Sequence, residues 1–492
     1  MRNSSPSDLL AQALELADRH MLRRTSSAPR SEVSTKALRR SFGLELPDDG
    51  CPPEEVIDLL ANAAEPGLMG NTGSNFFGWV MGASTPVGIA ADILTSCWGQ
   101  NAAIYQTSPS AAVAEETAAS WLLDVLDLPD ESSVGFTTGA TMASFICLAA
   151  ARAEVLRIHN WDLEAEGLMG APPINIVISE EAHASILAVL KYLGFGARHF
   201  IRIPTDDQGR MEIHQLEYIM GSLSGPTIVV AQAGHINSGA FDDLEQIGKL
   251  TRKQNAWFHI DGAFGLWARS TRLYRHLTNG AELADSWAVD GHKWLQVPYD
   301  SGYAIVKHED AHRHAMNISA SYLNREDSDG RNPSEYGPEL SRRARGFTTW
   351  AVMQSMGRTG LKQMVERHCQ CAKQLAGLLE KVDGIRVLND VVLNQVAITF
   401  SAEKNPLEPV KWRSGSPHCH ELTDAVILAV QKENQAFVSG ADWRGHRIMR
   451  VSVIAENTDK NDIDALATSI IRAWKQVQRE SDEVSAAIPL SA

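Results

Sequence analysis

The sequence has little of what marks secreted, membrane or nucleic-acid-binding proteins. Six cysteines are scattered over 492 residues, which disfavours a disulfide scaffold and favours a reducing compartment. No apolar run approaches the roughly 20 residues of a spanning helix, and the N-terminus lacks the apolar core of a signal peptide. Basic residues number 45 against 60 acidic ones, a balance that disfavours a phosphate-backbone partner. We therefore expect a cytoplasmic protein that binds neither nucleic acid nor membrane.

The sequence also has few residues at the spacings typical of metal ligands. The segment His418-Cys-His-Glu421 contains metal-binding residue types, but no second ligand pair stands at a recognisable spacing from it. Cys369 and Cys371 lie two apart in a predicted helix, where they point to different sides. We predict no metal site.

What is present is a pattern of alternating strands and helices. Residues 7–23 read as an amphipathic helix, and after about residue 130 short β-branched runs alternate with helical stretches, which is typical of a mainly parallel sheet covered on both faces. The predicted strands are Ile174–Ile178, Thr227–Ala231, Trp257–Ile260, Trp287–Val289 and Tyr303–Val306. The predicted helices between them are 141–158, 183–193 and 242–254.

The last third of the chain has a different pattern. A long helix over 345–382 precedes strands at Gln395–Phe400 and Ile448–Ile454, and a final helix begins near Thr458. This order predicts a smaller α/β domain. We predict an N-terminal helical segment at 1–100, a large domain at 101–344 and a small domain at 345–492.

A lysine and an aspartate follow two of the predicted strands. Lys293 comes after an apolar strand that runs into Asp-Gly-His-Lys, and open α/β sheets bind ligands at the carboxyl ends of their strands. The tetrapeptide alone leaves open an ordinary solvated loop lysine. Asp261 ends the strand before it, where a carboxylate suits a buried partner for a heterocyclic nitrogen cation. The alternative for Asp261 is a helix cap or turn residue.

Two further segments suit the binding of an anion and a planar ring. The run Gly135-Phe-Thr-Thr-Gly139-Ala140-Thr141 enters a helix, where free amides and the helix dipole attract an anion. His183 lies just beyond another strand, where its ring can stack on a cofactor. Each segment has a plain alternative, since both are also ordinary helix caps.

Together the four segments resemble the pyridoxal-dependent decarboxylase family, which includes the aromatic amino acid, histidine and glutamate decarboxylases. The resemblance runs from about Asn75 to Glu456 and includes the interval of 32 residues between Asp261 and Lys293. In that family the aspartate usually precedes two alanines, whereas here Gly262 and Ala263 follow it.

The resemblance implies a role for each candidate residue. Lys293 would form a Schiff base with pyridoxal 5′-phosphate (PLP), and Asp261 would pair with the pyridine nitrogen. His183 and Ala263 would pack on opposite ring faces. The phosphate would be held by Gly139, Ala140, Thr141 and His292. Asn237 would lie near the ring and substrate, Tyr322 would be a mobile-loop proton donor, and Arg450 resembles a residue that related folds direct at substrate.

The resemblance also implies the fold, the reaction and the assembly. The fold would be that of PLP-dependent transferases resembling aspartate aminotransferase, in a homodimer with each site at the interface. The reaction would convert an L-amino acid into its amine and carbon dioxide. A carbon–carbon lyase, an aminotransferase and an oxygen-consuming, aldehyde-forming relative use the same fold and stay open as alternatives. From a different class, a non-catalytic scaffold stays open too.

Overall fold

The computed structural model describes residues 5–24, 27–43, 45–318, 330–402 and 417–487. Its N-terminal part is helical, as predicted. Ser5 caps the first helix, because its hydroxyl accepts the Asp8 amide while the Asp8 carboxylate accepts the Ser5 amide. The helices of this part are α1 (Pro6–Arg23), α2 (Thr35–Ser41), α3 (Pro53–Ala64), α4 (Pro86–Trp98) and α5 (Pro109–Val125).

Within the described residues, seven strands form a large sheet with the order β1-β7-β6-β5-β4-β2-β3. The strands are β1 (Ser133–Thr137), β2 (Asn175–Ser179), β3 (Phe200–Ile203), β4 (Thr227–Gln232), β5 (Trp257–Asp261), β6 (Ser286–Asp290) and β7 (Gly302–Val306). Only β7 runs antiparallel to its neighbours β1 and β6. The five predicted strands are confirmed within one residue at their ends, whereas β1 and β3 were not predicted.

Helices separate most of these strands and cover the sheet. They are α6 (Ala140–Ile158), α7 (Leu163–Glu166), α8 (Ala184–Tyr192), α9 (Ile213–Met220), α10 (Leu244–Lys253) and α11 (Glu309–Met316). Short 3-10 turns lie at Glu65–Gly67, Tyr105–Thr107, Ala197–His199, Gly265–Ser270, Arg275–Thr278, Ala281–Leu283 and Pro333–Tyr336. Strands β4 to β7 are buried along their whole length, because parallel sheets in α/β proteins are covered on both faces.

A second, antiparallel sheet follows α12 (Arg345–Leu379), whose helical backbone is interrupted at Gly357 with φ 60°. In the part of the chain that is described, this sheet has the order β10-β11-β9-β8. Its strands are β8 (Ile385–Val387), β9 (Gln395–Phe400), β10 (Ser439–Trp443) and β11 (His446–Ser452), accompanied by helices α13 (Pro417–Glu433) and α14 (Lys460–Ala487). The strand predicted at Ile448–Ile454 is therefore β11, shifted by two residues. The domain boundaries at residues 100 and 344 stay a prediction.

Buried tryptophans hold the loop after β6 in place. The Trp267 ring N–H donates to the Asp290 carbonyl at 3.1 Å, and the Trp294 ring N–H donates to His368 Nδ1 at 3.0 Å. Both rings are fully buried, so their ring donors are paired inside the core as buried polar groups require. Lys293 is therefore preceded and followed by rigidly packed chain.

A buried ion pair ties α5 to β1, and its loss should destabilise the fold. Arg342 Nη1 lies 2.8 Å from Glu115 Oε1, and the other terminal nitrogen donates to the Phe136 carbonyl at 3.0 Å. We expect Glu115→Gln to lower the free energy of unfolding by about 3–5 kcal/mol, because it leaves a buried guanidinium without a counter-charge. The measurement is the midpoint of urea unfolding.

The matched control for Glu115→Gln is Asp92→Asn, since Asp92 pairs with the neighbouring Arg343 at 2.8 Å on the surface. Exposed pairs contribute below about 1 kcal/mol, so this variant should unfold close to wild type. Equal shifts for the two variants would contradict the importance assigned to the buried pair.

Candidate active site

The candidate residues meet at one edge of the large sheet. Strand register places Gln232 beside Asp261 and Asp261 beside Ala288. On the other side, Gly302 at the start of β7 lies beside both Asp290 and Thr137. Since β7 is antiparallel, its beginning and the ends of β1 and β6 share the same edge. The loops that carry Gly139, His183, Asn237 and Lys293 follow β1, β2, β4 and β6 and leave from this edge.

Lys293 is held at this edge by a carboxylate that the sequence analysis did not single out. Its Nζ lies 2.9 Å from Asp290 Oδ2, and the side chain is largely buried. Nζ also lies 5.8 Å from the centre of the Phe264 ring, within the range of a cation–π contact. Lys293 is therefore an enclosed lysine rather than a solvated loop residue.

Asp261 and His183 each shift the pKa of the other. Asp261 is buried, and burial raises the pKa of its carboxyl, whereas the charges of His183 and Lys293 act to lower that pKa. Burial lowers the pKa of His183 and favours the neutral ring, against the charge of Asp261. Asp261 Oδ1 accepts the Ala263 amide at 3.3 Å. Because burial disfavours the ionised form of this carboxyl, a nearby cation stabilises that form.

The His183 ring also caps a helix. Its Nδ1 accepts the Ser185 amide at 3.3 Å at the beginning of α8 and forms a 2.7 Å hydrogen bond with the Ser185 hydroxyl. His183 therefore caps a helix and also lies in the candidate site. These hydrogen bonds fix the orientation of the ring. They use only Nδ1, so Nε2 and the two ring faces take no part in the cap.

The beginning of α6 forms a tight cradle for an anion. Its N-cap is Gly139, which has no side chain to accept the first amides, so the helix beginning is open to an anion. The Ala140 amide already donates to Asp290 Oδ1 at 2.5 Å. A Cβ on Gly139 would lie 2.9 Å from His292 Cε1, and one on Gly302 would lie 2.4 Å from Gly139 Cα. Only glycine permits this close approach. Thr141 is exposed in the first turn.

Arg450 and Asn237 form the side of the site that belongs to the second sheet. Arg450 is buried, its Nη1 donates to Asn237 Oδ1 at 3.4 Å, and burial lowers the pKa of its guanidinium. Its buried Nε has no hydrogen-bond partner within the described residues. A buried donor of this kind costs free energy unless a ligand satisfies it.

A cavity of about 720 Å³ is lined by Lys293, His183, Asn237 and Arg450. Aromatic, aliphatic and charged residues form the rest of its lining. Those further residues are Trp79, Val80, Glu181, Ala182, Ala184, His235, Ile236, Asp442, Trp443 and Arg444. Tyr322, the predicted proton donor, lies outside the described residues.

Sequence reasoning missed a cluster that joins the two sheets at the cavity. Glu181 Oε2 accepts the Trp443 ring N–H at 2.7 Å and lies 3.0 Å from His235 Nε2, and Oε1 accepts from Arg444 at 2.8 Å. Although burial alone raises the pKa of Glu181, the hydrogen bonds from His235 and Trp443 lower it to about 2. In the sequence, the pair Glu180-Glu181 shortly before His183 was the one available signal of this cluster.

In the described ranges, no group of three His, Cys, Asp or Glu side chains is placed to hold a metal ion. No helix in the same ranges combines the length and apolarity needed to cross a bilayer.

Residues 36–402 match the model of the pyridoxal-dependent decarboxylase conserved domain. The chain belongs to the pyridoxal-dependent decarboxylase family. It is 24% identical to the aromatic-L-amino-acid decarboxylase of Bacillus atrophaeus, covering 97% of this chain and 96% of that protein. It is 26% identical to the acidic amino acid decarboxylase GADL1 of Xenopus tropicalis, with 89% and 86% covered.

The fold agrees with solved structures of similar enzymes. The crystal structure of Oryza sativa TDC with PLP and tryptamine has a TM-score of 0.88 and 19% sequence identity, covering 97% of this chain and all of that one. The predicted fold class is confirmed: a PLP-dependent transferase fold with a mainly parallel sheet, helical N-terminus and small C-terminal sheet. The chain is a PLP-dependent carboxy-lyase of the amino acid decarboxylase type.

The residues at the sheet edge fit PLP. The cofactor has an aldehyde, a protonatable ring nitrogen and a phosphate, and the site offers an enclosed primary amine, a buried carboxylate and a helix beginning lined by glycine. These three groups lie at one sheet edge. The chemistry of the donor set therefore matches each functional group of the cofactor.

Proposed function

We propose that Lys293 carries PLP covalently and that the chain uses it to convert an L-amino acid into its amine and carbon dioxide. The observation that supports this assignment is that Lys293 and His183 line one cavity and lie close enough to the buried Asp261 carboxyl for their charges to act on its pKa. When bound, the cofactor supplies an electron sink for the pair released as the carboxylate leaves.

Each side chain then has a defined task. Asp261 neutralises the positive ring nitrogen, and His183 packs on one ring face with Ala263 on the other. The capping bonds of His183 to Ser185 keep that ring from rotating. The amides of Ala140 and Thr141 after Gly139, with His292, hold the phosphate at the positive end of α6.

Arg450 and Asn237 are proposed to receive the substrate. Arg450 lines the cavity, and its buried Nε has no hydrogen-bond partner within the described residues, so a carboxylate of the substrate would satisfy it with a charge-assisted hydrogen bond. Asn237 is bonded to the same guanidinium and orients it. The relatives named above are described as acting on aromatic and on acidic amino acids, so the side chain of the substrate is left to experiment.

The decisive test is a panel of aromatic, acidic and aliphatic L-amino acids assayed for carbon dioxide and amine. One substrate class should release both in equal amounts. A keto acid product without carbon dioxide would instead support the aminotransferase alternative.

Tyr322 remains the proposed proton donor, and its removal should change the product. Tyr322→Phe keeps the ring but loses the hydroxyl that would protonate the substrate α-carbon. We expect amine formation to fall on the order of 100-fold with little change in substrate binding, and aldehyde, ammonia and hydrogen peroxide to appear as oxygen and water react at that carbon. Amine, aldehyde and peroxide are quantified in the same assay.

Tyr218→Phe is the control for this variant, since Tyr218 is a surface tyrosine and should leave turnover unchanged. Normal amine production by Tyr322→Phe would show that the proton comes from another group.

The homodimer and the cytoplasmic location also stay proposals. Large apolar side chains are exposed on α4 and α12, among them Leu94, Trp98 and Trp350, and such surfaces mark protein–protein contacts. Within the described residues, Cys51, Cys97, Cys147, Cys369 and Cys371 form no disulfide, which suits a reducing compartment. Light scattering of the purified chain measures the first proposal, and fractionation of the source cells measures the second.

A further inference from the structure

Within the described residues the carboxylate of Asp290 makes three polar contacts, and each goes to a group proposed to bind the cofactor. Its Oδ1 accepts the Ala140 amide at 2.5 Å and lies 3.3 Å from His292 Nε2. Its Oδ2 lies 2.9 Å from Lys293 Nζ. The residue is 3% exposed, so these are enclosed contacts rather than surface pairs.

These contacts place a carboxylate in the anion cradle. The first amide of α6 and the His292 ring are the donors proposed for the phosphate, and both already contact the Asp290 carboxylate. The close approach of Gly139 and Gly302 leaves the cradle little spare width, because an added Cβ at either position would clash. Two anions brought together in an enclosed site repel each other more strongly than they would in water.

We propose that Asp290 competes with the phosphate of the cofactor for the Ala140 amide and for His292, and so sets how firmly the phosphate is held. Asp290 has the same sign of charge as the phosphate and acts on it through the Ala140 amide and His292, so it is a positioning residue of the cofactor site. The inference rests on the proposed cofactor site at the beginning of α6. Its consequence is a cofactor that exchanges more readily than the other contacts would allow.

The test uses Asp290→Asn with two ligands that differ only in the phosphate. Asparagine keeps the shape and an acceptor for the Ala140 amide but removes the charge. The dissociation constants of PLP and of pyridoxal are measured on the full-length chain stripped of cofactor, through quenching of its tryptophan fluorescence. Any effect that passes through Lys293 acts on both ligands, since both carry the aldehyde.

We expect the ratio of the pyridoxal to the PLP dissociation constant to rise at least about tenfold in Asp290→Asn. Asp285→Asn is the matched control, because Asp285 precedes the same strand at its other end, roughly 16 Å away, and accepts the Phe258 amide at 2.8 Å. That variant should keep the wild-type ratio. Asp290→Ser is the second variant if the asparagine protein does not fold.

An unchanged or smaller ratio in the Asp290 variants overturns the proposal, including the case in which both ligands tighten together. Failure of the proposed function gives a different result. In that case the wild-type chain binds PLP no better than pyridoxal, or the cofactor is attached to a lysine other than Lys293.

Discussion

Lys293→Ala should abolish turnover, with a loss of at least about 1,000-fold, because Lys293 is the one lysine among the described residues that line the cavity. Asp290 would keep its contacts with Ala140 and His292 but lose its partner at 2.9 Å. The measurement combines carbon dioxide release with borohydride reduction and peptide mapping. In wild type the pyridoxyl group should map to Lys293.

The control for this variant is Lys249→Ala. Lys249 is exposed and pairs with Glu245 one helical turn away, so its loss should change neither turnover nor labelling. A pyridoxyl group found on any lysine other than 293 would refute the assignment, whatever the activity of the alanine variant.

Asp261→Asn should keep the fold and the cofactor while turnover falls about 100-fold, which corresponds to about 2.7 kcal/mol of barrier. The physical reason is the loss of a buried negative charge. Burial raises the pKa of the Asp261 carboxyl, and only a cation held beside it makes the ionised form favourable. Asparagine has the same shape but cannot balance a protonated ring nitrogen.

Turnover and cofactor content are measured together for Asp261→Asn, and Asp285→Asn again provides a control with one carboxylate less near β5 and β6. Near-normal turnover with bound cofactor would exclude Asp261 from the proposed role. Loss of cofactor without a change in thermal stability would instead point to a binding role.

Much of the fold followed from local patterns. Strands β2, β4, β5, β6 and β7 are apolar and rich in β-branched or aromatic residues, and they were predicted with nearly correct ends. Strand β1 has Gly135 at its centre, which weakens a strand pattern, and β3 is only four residues long although Phe and Ile favour a strand. Both are placed in the sheet by pairing with β7 and β2.

The candidate site was predictable to the extent that it lies in short segments. Lys293, Asp261, His183 and the Gly139 turn each follow a strand or open a helix, and that context can be read from neighbouring residues. The Glu181 cluster was not predictable, since Trp443 and Arg444 come from a hairpin more than 260 residues later in the chain. No local pattern encodes such a contact.

The sequence by itself determined which chemical groups this protein has and in what order they leave its strands, because strand ends and helix beginnings are local properties of the chain. Only the tertiary structure decided which of those groups meet. Asp290 reads as one acidic residue in a loop, yet its contacts with Ala140, His292 and Lys293 make it a central charge of the site. The physical reason is that strand order and register are set by packing across the whole core, and these alone bring Gly139 to the end of β6.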